Sequence, residues 1–177
     1  MIKYCIPFVL VLLLLSSCNK DNARVEFEIP LQNIDFEIQP GLNTFQVHYF
    51  NFDNIPTNSA ELFSANNFSF ENASAIVPLE GNLSALFGGA DFEFIEQLSL
   101  RICDAGDFSE NCGTEIFYRQ PVPLNVGNIL PLVPSDISIK QYLTQDKVNI
   151  QLKIERLRES PPQFVDTRLE LEFGVRQ

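Results

Sequence analysis

Lys147-Val148-Asn149-Ile150-Gln151-Leu152-Lys153-Ile154-Glu155 alternates polar and apolar residues without a break. Successive side chains of a strand point to opposite faces, so this period of two predicts a strand with one buried and one wet face. A helix would need apolar residues every three to four positions, and this stretch does not supply them. Beyond Pro161-Pro162, Leu169, Leu171, Phe173 and Val175 alternate with Arg168, Glu170 and Glu172 in the same way. Half-buried strands of this kind belong to an antiparallel sheet. A chain that ends on so regular a strand is expected to pair it deep in the sheet, which makes C-terminal truncation damaging.

Working outward, the same period recurs. Val25, Phe27 and Ile29 alternate with Glu26 and Glu28; after Pro30, Ile34, Phe36 and Ile38 alternate with Asp35 and Glu37. Pro40-Gly41 marks a turn. Phe45, Val47 and Tyr49 are expected on the buried side of the next strand, with Thr44, Gln46 and His48 opposite. Residues 51–59 read as an Asn-rich loop and Ala75 to Leu79 as a short strand, while 83–90 fit a loop or a helical turn. Phe92 to Cys103 predicts a long strand whose parity slips near Glu96, the mark of a bulge. Thr114 to Gln120 returns as a strand. Pro121, Pro123, Pro131 and Pro134 then predict an edge or an extended crossover, because proline cannot donate to a central ladder. Ser135 reads as the N-cap of one short helix near residues 135–145, with Asp136 favoured by the helix dipole and Ile139, Tyr142 and Leu143 on one face.

About eight strands with short turns and no internal repeat predict an all-β fold, an antiparallel β-sandwich of immunoglobulin-like size. A closed β-barrel is the alternative. The alternating βα pattern of a parallel sheet is absent. Charges on the outward faces exclude a membrane-spanning barrel, which needs an apolar band facing lipid.

The chain carries 16 Phe and no Trp, so Phe is the aromatic filler of the core, and its formal net charge is −11. Residues 19–100 hold twelve acids against Lys20 and Arg24, whereas residues 101–177 hold eleven acids against nine bases. An acidic body argues against nucleic-acid binding, which needs clustered Lys and Arg against phosphate. It also argues against lying flat on anionic lipid.

At the N-terminus Lys3 precedes an apolar run from Ile6 to Leu15, and Ser16, Ser17 and Cys18 close it. A positive start, a short apolar stretch and small residues before a cut are the marks of a secretory signal. The run is about ten residues, short of the roughly 20 that span a bilayer. Leu15-Ser16-Ser17-Cys18 resembles the lipobox of bacterial lipoprotein precursors. The resemblance implies a signal peptide at residues 1–17, cleavage after Ser17, acyl chains on Cys18 and a location outside the cytoplasm, on the outer membrane or cell surface. Two or more chains hold a protein stably where one does not. Residues 18–22 then form a lipidated tether and 23–177 a single β domain. Lys20 followed by Asp21 is similar to the export signals of surface lipoproteins in the Bacteroidota.

With Cys18 acylated and Cys5 in the removed segment, Cys103 and Cys112 remain as a pair flanking one loop. In an oxidising compartment they are expected to form a disulfide. Within that loop Asp104, Asp107 and Glu110 recur every three residues beside Gly106, a weak Ca²⁺ candidate whose spacing departs from the EF-hand. His48 is the sole histidine, and any catalytic triad would run through it. No Gly-x-Ser-x-Gly elbow accompanies it, and nothing singles out a carboxylate pair among 23 acids. The expectation is a lipid-anchored, non-catalytic binding module for a protein or glycan partner, without a cofactor. A carrier of apolar ligand in a barrel-like interior is the alternative, and a hydrolase follows.

Overall fold

The computed structural model describes residues 24–87 and 89–177, so the lipobox, Cys18 and the whole tether lie outside the described residues. Among the described residues nine strands form two antiparallel sheets packed face to face. Sheet A contains β1 (Val25–Ile38), β9 (Val165–Arg176), β3 (Ala75–Ala85) and β6 (Ile129–Pro131), in that order. Sheet B contains β2 (His48–Pro56), β8 (Lys147–Leu157), β4 (Ile95–Asp104), β5 (Thr114–Arg119) and β7 (Val133–Pro134). The fold is the expected all-β sandwich, and the two open sheets do not close into a barrel.

The alternating residues that announced β8 and β9 meet in the middle. Ile150, Leu152 and Ile154 of β8 and Leu169, Leu171 and Phe173 of β9 are fully buried between the layers. Each such side chain removed from water contributes roughly 1.5–3 kcal/mol before entropy is counted. Phe117 of β5 reaches across to Phe173, with ring centroids 6.1 Å apart. Its ring lies over Gly81 of β3, where an added Cβ would come within 3.0 Å of it. Fully buried side chains of both sheets meet in this interior, and the two sheets do not close into a barrel around it.

Several boundaries differ from the sequence expectation. The segments on either side of Pro30 form one edge strand, β1, joined by a bulge at Asn33 (φ 61°) that keeps Leu31 and Ile34 on the same face. The slip expected near Glu96 is present as register shifts between Ile95 and Leu98. Residues 51–56 continue β2 and are not a loop. In that strand Phe50 and Phe52 face inward, packing on Phe36 at 5.2 and 5.0 Å, so Tyr49 faces outward, opposite to expectation. Phe45 and Val47 precede the strand in the turn and are exposed. Two inward Phe residues outweigh one Tyr, and a one-residue shift reverses every side chain.

Two helices occur among the described residues where one was expected. α1 (Ser59–Ala65) begins after Asn58 in a left-handed conformation with no side-chain cap, so the sequence carries no start signal for it. It is held by packing: Phe63 meets Phe27 edge-on at 4.9 Å and Phe70 at 4.0 Å. α2 (Lys140–Leu143) lies within the expected window, but its N-cap is Ile139 and not Ser135. The Ser135 backbone N–H instead bonds to the Ile116 carbonyl, extending the edge of sheet B.

Truncating Phe117 to Ala is expected to cost about 3–5 kcal/mol through the cavity left between the sheets. Urea unfolding followed by far-UV circular dichroism checks it. A loss below 1 kcal/mol would show that the layers close up around Gly81.

Candidate functional surfaces

Antiparallel pairing throughout sends four connections to one end of the sandwich: residues 39–47, 86–94, 120–128 and 158–164. The other end holds Val25, Arg176, α1, the Cys103–Cys112 loop and α2. The four-loop end presents Phe45, Val47, Phe87, Leu124, Ile129 and Phe164 to solvent, with Phe45 95% and Phe87 71% accessible. Its charged residues are few: Asp91, Glu93, Arg158 and Glu159. Single exposed apolar residues are ordinary, so it is their gathering on loops of one end that sets this region apart.

These loops are tied together. Arg158 donates to the carbonyls of Glu93, Ile95 and Val122, and its backbone N–H bonds to the Phe94 carbonyl. One guanidinium with five donors thus fastens three connections. The fourth is tied by Gly41 N–H to the Pro161 carbonyl and by Ser160 Oγ to the Leu42 carbonyl. His48 Nε2 donates to the Asn43 carbonyl at 2.8 Å, closing the 39–47 turn. Clefts of about 390 and 340 Å³ flank residues 89–91, the second lined in part by Asp91, Glu93 and Glu159.

A second surface is the outer face of sheet B. The expected disulfide joins Cys103 and Cys112, with Cα atoms 5.5 Å apart. Both cysteines are buried, and the loop between them folds back over β8. That covering explains why Asn149 and Gln151, expected on the wet face, are buried. Asn149 Nδ2 donates to the Asp107 carbonyl, and Gln151 Nε2 donates to the Ser109 carbonyl and Asn51 Oδ1. Arg101 holds the loop's return through the Cys112 and Gly113 carbonyls. Gly113 (φ +51°) admits no side chain, since a Cβ would lie 1.8 Å from the Ile102 carbonyl oxygen.

The Ca²⁺ candidates are not assembled into a site. Asp104 accepts from Gln145 Nε2, Asp107 accepts from the Ser109 backbone N–H, and Glu110 is exposed. The Ser109 bond holds the Asp107 carboxyl below its usual range. Among the described residues no three His, Cys, Asp or Glu side chains come together in a metal-binding group. His48 has a backbone carbonyl, that of Asn43, for its hydrogen-bond partner.

The outer face of sheet A is acidic. Glu80 and Glu172 sit directly opposite on β3 and β9, with Glu28 and Glu170 near them. Burial, followed by repulsion from Glu28, Glu80 and Glu170, raises the Glu172 carboxyl above its usual range. At one end of this face Asp35 and Arg168 are cross-strand partners joined by two bonds of 2.7 and 2.9 Å. The Arg168 hydrogen bonds lower the Asp35 carboxyl. No family model, curated protein or solved structure matches the chain. Among the described residues no helix is long and apolar enough to cross a membrane.

Replacing both cysteines of the disulfide with Ser is expected to cost about 2–5 kcal/mol. Hydrogen exchange should then rise first over residues 105–112, and an unchanged unfolding midpoint would show that the amide contacts alone hold the loop. A raised carboxyl binds its proton more tightly in the folded chain, so the Glu172 contribution to stability falls as pH rises through its folded pKa. Glu172→Gln should therefore raise the melting temperature at pH 7 and lose that advantage in acid. Melting curves from pH 3 to 8 test this, and a gain equal at every pH would assign the effect to something other than charge.

Proposed function

We propose that the protein is a lipid-anchored envelope protein acting as a non-catalytic binding module. In this reading the four-loop end meets a protein partner through its apolar side chains. The observation that carries the reading is the grouping of Phe45, Phe87, Leu124, Ile129 and Phe164 at the end remote from Val25, where the chain arrives from Cys18. β1 has 14 residues, so the two ends stand roughly 45 Å apart at about 3.3 Å per residue. A tether of a few residues holds Val25 near the membrane and directs the loops away from it. Arg158 supports the same reading, because a surface made of four loops keeps its shape only if the loops are fixed to one another.

Metabolic labelling with an alkynyl palmitate tests the anchor: wild type takes up label and Cys18→Ala does not. A photo-crosslinking residue at position 45, 87 or 164 in the native cell should give discrete protein adducts. The same residue at position 28 or 80, on the acidic face, should not. Adducts shared by all five positions, or absent from the loop positions, would sink the partner surface.

A further inference from the structure

The two clefts at the four-loop end differ in chemistry and share one border. The first, of about 390 Å³, is lined by Ala85, Leu86 and the exposed ring of Phe87. The second, of about 340 Å³, has the buried Phe94 and Val165 among its walls, with the exposed carboxylates Asp91, Glu93 and Glu159. Residues 89–91 line both clefts. Gly89 and Ala90 put almost no side chain between the two, and a Cβ built on Gly89 would meet nothing within 4 Å.

The charge of this end is not neutralised from within. Asp91, Glu93 and Glu159 are the acids of the four connections, Arg158 is their one base, and all three acids line the second cleft. Arg158 spends its guanidinium on the carbonyls of Glu93, Ile95 and Val122. Among the described residues none of the three carboxylates is in an ion pair. Three carboxylates against one guanidinium leave two negative charges beside a group of exposed apolar side chains. Such a surface attracts a cation and repels an anion, and complementary charge fixes which partner docks and in what register.

The spacing of the clefts matches one kind of occupant. Residues 89 and 91, which both clefts share, are separated by at most about 7 Å of chain. In an extended segment, side chains two residues apart point the same way at nearly that distance, about 6.6 Å. One apolar and one cationic side chain at this spacing reach both clefts together. We propose that the partner of the four-loop end docks through an extended protein segment bearing an apolar residue and, two positions away, a Lys or Arg. The apolar side chain packs on Phe87, and the cation enters among Asp91, Glu93 and Glu159. This inference rests on the four-loop end being a partner surface and adds the chemistry of the segment it takes.

Fluorescence anisotropy of the full chain in a nonionic detergent tests it with a dye-labelled peptide repeating Leu-Ser-Lys-Ser. A counterpart repeating Leu-Ser-Gln-Ser is expected to bind roughly tenfold more weakly than the lysine peptide. The Glu93→Gln, Glu159→Gln double variant should weaken the lysine peptide roughly tenfold, about threefold for each exposed ion pair. Phe87→Ala should weaken it roughly tenfold as well, the scale of an aromatic anchor. The Glu28→Gln, Glu80→Gln double variant removes the same charge from the outer face of sheet A and should leave binding unchanged. In the native cell, a photo-crosslinking residue at position 87 or 164 should attach to segments with a Lys or Arg two residues from an apolar one. No binding of the lysine peptide, equal binding of both peptides, or equal losses from the two glutamate pairs would overturn the inference. Adducts whose attached segments lack a cation would overturn this inference alone, whereas no adducts at either position would remove the partner surface with it.

Discussion

The sandwich depends on two strands that are neighbours in the chain and lie in different sheets. β8 and β9 are each paired on both edges, β8 by β2 and β4, β9 by β1 and β3. Their apolar faces meet each other's layer, and the connection of residues 158–164 carries the chain from one layer to the other. Arg158 stands at the start of that connection and fastens two further loops to it. The pairing of the layers and the gathering of four connections at one end thus share one cause. The chain from Lys147 to Arg176 forms the centre, and the remaining strands add to its edges.

Residues 147–155 and 168–175 made the fold class legible because strict alternation has one structural solution at this length. The prolines at 131 and 134 correctly marked a crossover: β6 ends in sheet A at Pro131, and β7 begins in sheet B at Val133. What failed was decided by packing over distance. The parity of residues 45–52 was misread because the turn residues Phe45 and Val47 imitate a strand, whereas Phe36 selects Phe50 and Phe52. α1 was invisible because its stability comes from Phe27, Phe68 and Phe70 and not from a cap. Asn149 and Gln151 read as wet because nothing local says that a loop 40 residues earlier will cover them. The misread parity of residues 45–52 likewise hid that Tyr49 faces outward. Only the disulfide pair, which positions the covering loop, was available from the sequence.

The three outer surfaces differ in what they offer. Sheet A presents clustered carboxylates, with Glu172 disfavoured by its neighbours, and this face repels anions and copies of itself. The outer face of sheet B is polar and balanced in charge, with part of it sealed by the disulfide loop. The four-loop end is rich in exposed apolar side chains, with Asp91, Glu93, Arg158 and Glu159 as the charged residues of its connections. Such a division gives one small domain three chemically distinct faces, the acidic one set against anionic polymers.

The bulges and prolines at the sheet margins bear on a different matter, the behaviour of many copies at high concentration. β1 carries Pro30 and the Asn33 bulge, β2 has a register break between Phe52 and Ile55, and β6 and β7 are three and two residues long with a proline in each. Every sheet edge is therefore interrupted, and none offers a long flat row of free N–H and C=O groups to a neighbour. A chain whose strands make up so much of its length would otherwise be prone to edge-to-edge aggregation. Its margins are built so that crowding does not turn one sheet into the template for the next.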